Sequence, residues 1–331
     1  MALKVVSRKL PGGNSSVDLR TSLGSLSLPS PILTASGCAG SGKELSVFFD
    51  LSKIGAIVTK SIMASPRSGR ATPRMAETPS GMLNSIGLQG PGVERFMNED
   101  VPWLNQTGAR IIVSIAGNSV EEFGRVASRV RRAGDLVSAI EVNISCPNVS
   151  DRGLVFACDP ISASEVITLV RRSVGAKFPI FAKLSPDVTD IVEIAKSCVA
   201  AGATGLAMIN TLLGMVIDTK TMRPKVAGLT GGLSGPAIRP VGVRAVWQVH
   251  EAMPQVPIIG MGGIMNGADA FEYILAGASA VSIGTATFHD PGAPMRIQNE
   301  LSNILVERGF ASLKEAIAHG HRSVDESESA S

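Results

Sequence analysis

The residues best equipped for chemistry lie together in Glu141-Val142-Asn143-Ile144-Ser145-Cys146-Pro147-Asn148, where an apolar run gives way to polar side chains. Val142 and Ile144 fit a buried pleat, while Asn143, Cys146 and Asn148 add amide donors and acceptors and one thiol that becomes a base when ionised. Pro147 fixes its own φ and keeps Cys146 out of the helical region, so the turn is stiff and the thiol is held in place. A plain structural role is also open, since a lone cysteine often serves as a small buried hydrophobe and asparagines often form turns. The elements around the stretch decide between the two.

Eight short apolar, β-rich runs recur along the chain: Ile32-Leu33-Thr34-Ala35, Ala56-Ile57-Val58-Thr59, Ile111-Ile112-Val113-Ser114, Ile140-Glu141-Val142-Asn143, Ile180-Phe181-Ala182-Lys183, Leu206-Ala207-Met208-Ile209, Ile258-Ile259-Gly260-Met261 and Val281-Ser282-Ile283-Gly284. Between most of them lie segments of helical period, such as 120–132, 162–172, 191–201, 241–252 and 268–276. This alternation predicts an α/β fold with a parallel sheet covered by helices, and eight units fit a closed (β/α)₈ TIM barrel. An open doubly wound sheet would want a glycine fingerprint after its first strand, and Ala35-Ser36-Gly37-Cys38-Ala39-Gly40 lacks that spacing.

Upstream, Val17-Asp18-Leu19 and Leu26-Ser27-Leu28 around Gly24 predict an N-terminal hairpin that plugs one end of the barrel. Two connections, Met63 to Gly108 and Thr211 to Pro240, exceed plain barrel loops and both follow a strand's C-terminal end, which marks them as active-site loops. Residues 1–315 are expected to form one domain, followed by a C-terminal tail, 316–331, that is disordered at its end.

In a closed barrel the strand ends converge. Ser36, Lys60 and Ser61, Ser114, Asn143 to Asn148, Lys183, and Asn210 with Thr211 then share one mouth with Gly262-Gly263 and Gly284-Thr285. Taken singly, a strand-end lysine is usually solvated and a strand-end glycine usually turns the chain. Together, the glycines at the last two strand ends leave backbone N–H groups where barrels often bind phosphate, and Gly235 extends that cradle. Lys60 and Lys183 can neutralise an anion that forms on a ring during reaction. A phosphorylated aromatic heterocycle uses both features.

Composition narrows the field. The 331 residues are 44% hydrophobic and 18% charged, enough for a large core, and the net charge of +3 with one Tyr and two Trp offers no platform for nucleic acid. Every apolar stretch is interrupted before membrane-spanning length and the N-terminus lacks a signal-peptide run, so a cytoplasmic protein with no membrane partner is expected. Cys38, Cys146, Cys158 and Cys198 fit reduced thiols, and no metal site is suggested.

The motifs Thr34-Ala35-Ser36-Gly37, Asn84-Ser85-Ile86-Gly87-Leu88-Gln89, Asn143 to Asn148, Lys183-Leu184-Ser185-Pro186, Met208-Ile209-Asn210-Thr211, Gly231 to Ile238 and Gly260-Met261-Gly262-Gly263 stand in a telling order. Over residues 15–315 the chain resembles the catalytic subunit of class 1 dihydroorotate dehydrogenases, and more closely the NAD-linked 1B type. The resemblance implies a (β/α)₈ barrel that holds FMN and oxidises dihydroorotate to orotate in pyrimidine biosynthesis. It makes Cys146 the base for the C5 proton, with hydride from C6 passing to the flavin N5. Lys60, Asn84, Ser85, Ile86, Gly87, Leu88, Asn143, Asn148, Asn210 and Thr211 match positions that hold the pyrimidine and its carboxylate. Ser36, Lys60, Ser61, Asn143, Lys183, Ile209, Gly235, Gly262, Gly263, Gly284 and Thr285 match FMN positions; Ser114 takes another, where Asn is expected in close relatives.

Membrane-linked class 2 enzymes carry Ser at the position of Cys146 and an N-terminal extension, and the chain shows neither. A 1B chain implies a partner subunit with FAD and a 2Fe–2S cluster that passes electrons to NAD⁺, around a homodimer core of a heterotetramer. This chain has no cysteine quartet or dinucleotide fingerprint for that task. Three other readings stay open at this point: a fumarate-using 1A-like enzyme, a flavoenzyme of the dihydropyrimidine dehydrogenase kind, and a non-catalytic barrel that binds a phosphorylated ligand.

Overall fold

The computed structural model describes residues 17–145 and 158–322. Eight parallel strands, Ile32–Thr34, Ile57–Val58, Ile111–Ile115, Ala139–Asn143, Ile180–Lys183, Gly205–Met208, Ile258–Met261 and Ala280–Ile283, stand side by side in sequence order. The eighth pairs with the first, and a bridge between Leu33 and Ala56 joins the first to the second, which closes the barrel. Their boundaries fall within about a residue of the apolar runs, because burial on both faces requires near-continuous apolar sequence.

The crossover helices begin where the sequence supplies a cap. Ser119 accepts from the N–H of Glu122 to start Val120–Arg131, Asp159 from Ser162 to start Pro160–Val174, Asp190 from Val192 and Glu193 to start Ile191–Ala200, and Asn266 from Asp269 to start Gly267–Leu275. These caps fix where each helix leaves the mouth of the barrel, and so where each strand-end loop stops.

Along each strand the side chains alternate between two cores. Ile140, Val142, Ile180 and Ala182 pack outward against the helices, while Leu33, Val58, Ile112, Ala139, Phe181, Ala207 and Ile259 fill the barrel. Leu23 and Leu28 join this inner cluster, and Thr21 Oγ1 donates to Ser279 O at 2.7 Å, beside the start of the eighth strand. The hairpin therefore plugs the N-terminal end. Its first strand is Thr21–Leu23, not the expected Val17–Leu19: with Leu23 opposite Leu26, only a two-residue turn at Gly24 separates the strands, and the tight turn pulls the adjacent residues into register. Asp18 bridges to Ser312 instead.

The two long connections do not remain loops. Met75–Thr78 and Gly81–Asn84 from the first join Leu212–Gly214 and Gly231–Ser234 from the second in one four-stranded antiparallel sheet beside the barrel mouth. At the other end of the chain, His319–Arg322 packs on the barrel helices, with the His321 ring stacked on Trp247 at 3.6 Å. Among the described residues no helix is long and apolar enough to cross a membrane.

Leu23 and Leu28 have essentially no exposed surface, so Leu28→Ala is expected to cost about 2–5 kcal/mol of stability in urea unfolding. A loss below about 1 kcal/mol would show that the hairpin does not seal the inner core.

Candidate active site

Extending the two-residue period past the apolar inner cluster takes the chain into polar side chains. Lys60 follows Val58, Ser114 follows Ile112, Glu141 and Asn143 follow Ala139, and Lys183 follows Phe181, so each faces the upper barrel interior. Register places Ser114 beside Glu141 and Asn143 beside Lys183 on neighbouring strands. The Lys183 Nζ lies 3.6 Å from Glu141 Oε1 and donates to Ser36 Oγ at 2.9 Å. Both members of the ion pair are buried.

From Glu141 a line of hydrogen bonds crosses the mouth. Ser114 Oγ donates to Glu141 Oε1 at 2.9 Å and lies 2.9 Å from Ser61 Oγ, which accepts from Asn143 Nδ2 at 3.0 Å. On its other side Asn143 Oδ1 accepts from Ser145 Oγ at 3.1 Å, and Asn210 Nδ2 donates to Ser145 Oγ at 2.5 Å. Asn210 Oδ1 accepts from the N–H of Thr211, and Thr211 packs so closely beneath the outer sheet that a Cβ on Gly232 would lie 2.1 Å from its hydroxyl. Ile209 enters the group through its backbone, whose N–H donates to Met261 O at 3.1 Å.

The outer sheet carries Asn84, whose Nδ2 donates to Gly232 O at 3.3 Å, and the following residues Ser85 to Leu88. Arg70 holds that segment, with its N–H on Ile86 O and its guanidinium 3.2 Å from Ser85 Oγ. Gly87 has φ +76°, and a Cβ there would meet Arg70 atoms at under 3 Å, so the close approach requires glycine.

At the far side of the mouth the glycine turns meet. Gly235, Gly262 and Gly263 have φ of +96°, +122° and +70°, and a Cβ on Gly263 would lie 2.7 Å from Gly235 O. Thr285, next to Gly284, joins them by donating to Ser234 Oγ at 2.8 Å. Lys60 stands by the first strand's end, its Nζ 3.9 Å from where a Cβ on Gly37 would be.

The expected site residues are thus brought together, apart from Cys146 and Asn148, which lie outside the described residues. Glu141, to which no motif assigns a role, joins those brought together. Its signal was a carboxylate inside an apolar strand, two residues before Asn143 and therefore on the same face. Cys38 and Arg70 are further neighbours with no motif to announce them.

Three cysteines can be compared. Burial pushes the Cys38 thiol up to about 11, against the pull of the Lys183 and Lys60 charges, and pushes Cys198 up to about 12. Burial and the Asp187 carboxylate also raise Cys158. All three stay protonated through neutral pH and make poor bases there. With iodoacetamide at pH 8, buried Cys198 is expected to resist alkylation and partly exposed Cys38 to react slowly, quickening as pH approaches about 11. Rapid labelling of Cys38 at pH 7 by peptide mass analysis would contradict this environment.

The family model described as dihydroorotate dehydrogenase matches residues 18–305. Among relatives named "Dihydroorotate dehydrogenase B (NAD(+)), catalytic subunit", that of Geotalea daltonii is 50% identical over 91% of this chain and 97% of its own length. The proteins of Geobacillus sp. and Desulforamulus reducens are 49% and 48% identical, each over 92% of this chain and 98% and 99% of their own. With a closed eight-stranded barrel, a family model matched along most of its length and half its sequence shared with such relatives across nearly their full length, the chain belongs to the dihydroorotate dehydrogenase family.

Proposed function

We propose that this chain is the catalytic subunit of an NAD⁺-linked dihydroorotate dehydrogenase, which oxidises (S)-dihydroorotate to orotate in pyrimidine biosynthesis. The observation that carries the reading is the convergence of two strand-end lysines, a ring of amides and hydroxyls, and a glycine cradle at one mouth. Those residues fit FMN. Gly235, Gly262 and Gly263 exclude side chains and let backbone N–H groups approach a phosphate, with Gly284 and Thr285 beside them, and Lys183 with Ser36 offers positive charge and a hydroxyl to a polar ring edge. When bound, FMN supplies the acceptor for the hydride that leaves C6.

The chain's own residues do the rest. Asn143 and Asn210, with Thr211 and the Asn84–Leu88 segment, offer alternating donors and acceptors to the ring N–H and C=O groups. Lys60 takes the ring carboxylate, and Cys146, with Asn148 nearby in sequence, removes the C5 proton. A free thiol has a pKa of about 8.5, so its thiolate fraction, and with it proton removal, rises with pH. Residues 1–315 act as one FMN-binding unit in the cytoplasm. NAD⁺ is reached through a partner subunit carrying FAD and a 2Fe–2S cluster, around a homodimer of this chain.

Anaerobic stopped-flow of the chain with dihydroorotate tests the reading. Flavin reduction should quicken with pH and level off, and Cys146→Ala should slow it by about 10²-fold or more. Unchanged reduction in Cys146→Ala would remove the thiol from the mechanism. Lys183→Ala should weaken FMN retention or slow reduction. The isolated chain should produce NADH poorly, and rapid NADH formation without a partner would contradict the proposed division of labour.

A further inference from the structure

Glu141 belongs to no role described so far, yet it ends a directed line of five hydrogen bonds: Asn210 to Ser145, Ser145 to Asn143, Asn143 to Ser61, Ser61 to Ser114, and Ser114 to Glu141. A carboxylate only accepts, so Ser114 must spend its one proton on Glu141. Ser114 then has only lone pairs for Ser61, and Ser61 must donate to it. Ser61 in turn has only lone pairs for Asn143, which fixes the Asn143 NH₂ on that side and turns its Oδ1 toward Ser145 and Asn210. An isolated asparagine amide has no such preference between its two orientations.

We infer that Glu141 is a positioning residue: its carboxylate sets the direction of the line through Ser114 and Ser61 and so fixes, from its end, which edge of Asn143 is donor and which is acceptor toward the pyrimidine, while the Thr211 N–H holds Asn210 at the other end. The inference rests on the proposed reading of this mouth as the pyrimidine site. Ser114 and Lys183 both reach Glu141 Oε1, and only Ser114 continues into the line toward Asn143. From Ser145 to Glu141 each link is a neutral or charge-assisted hydrogen bond between buried groups, so reversing one leaves a donor facing a donor further along.

The test is a double-mutant cycle read by orotate binding to the flavin-loaded protein. Glu141→Leu removes the terminal acceptor, and Ser114→Ala cuts the line while leaving the Glu141–Lys183 pair in place. Each is expected to weaken orotate binding by about tenfold or more, with the loss falling chiefly on KM for dihydroorotate. The double variant should be no weaker than the worse single one, because both break the same line. Should Glu141→Leu fail to fold, Ser114→Ala decides alone. Wild-type orotate affinity in Ser114→Ala, or fully additive losses in the double variant, would overturn the inference. Failure of the wild-type protein to bind FMN or orotate would instead defeat the reading of the site.

Discussion

A charge can remain inside a barrel only if a partner and hydrogen bonds replace the water it gives up, and the Glu141–Lys183 pair is where this protein meets that condition. Removing one member of such a pair typically costs about 3–5 kcal/mol, since the other is left buried and alone. The pair also marks a boundary. Below it Phe181, Ile112, Leu33 and the hairpin leucines form a dry apolar plug, and above it stand the polar side chains Ser114, Asn143 and Ser61. The plug keeps the effective dielectric low beneath the site, so the lysine and amide dipoles act on a bound ring more strongly than they would in water.

The mouth is shaped by two insertions that neither strand order nor helix packing requires. By pairing Gly81–Asn84 with Gly231–Ser234, the outer sheet ties the connection after the second strand to the one after the sixth, and so fixes Asn84 relative to Asn210 and Thr211. Gly232 makes this possible, since any side chain there would occupy the place of the Thr211 hydroxyl. Recognition of the ring edge and the glycine cradle thus share one rigid support, because Ser234 and Gly235 continue directly from the same strand.

Much of this was legible in the sequence. Strands buried on both faces must be apolar throughout, so the eight runs stood out, and the convergence of strand ends in a closed barrel grouped Lys60, Ser114, Asn143 and Lys183 at one mouth. What sequence could not supply was pairing between distant segments. Asn84 and Gly232 lie far apart along the chain, and nothing local in either connection announces that they share a sheet. The hairpin register slipped for a related reason: Val17–Leu19 has strand-forming residues, but turn geometry at Gly24 overrode that propensity. Glu141 heads the stretch that ends in Asn148, yet its partners Ser114 and Lys183 lie on neighbouring strands, and only their register brings them to its carboxylate.

The central claim is that this mouth holds FMN and selects a carboxylated dihydropyrimidine. The most direct measurement is the anaerobic absorbance of the purified chain, loaded with FMN, on titration with dihydroorotate and, separately, dihydrouracil. The Lys60 charge at the second strand's end favours a ring that bears a carboxylate, so dihydroorotate should bleach the flavin band stoichiometrically while dihydrouracil leaves it unchanged. Bleaching by dihydrouracil but not dihydroorotate, or a protein that takes up no flavin, would contradict the account.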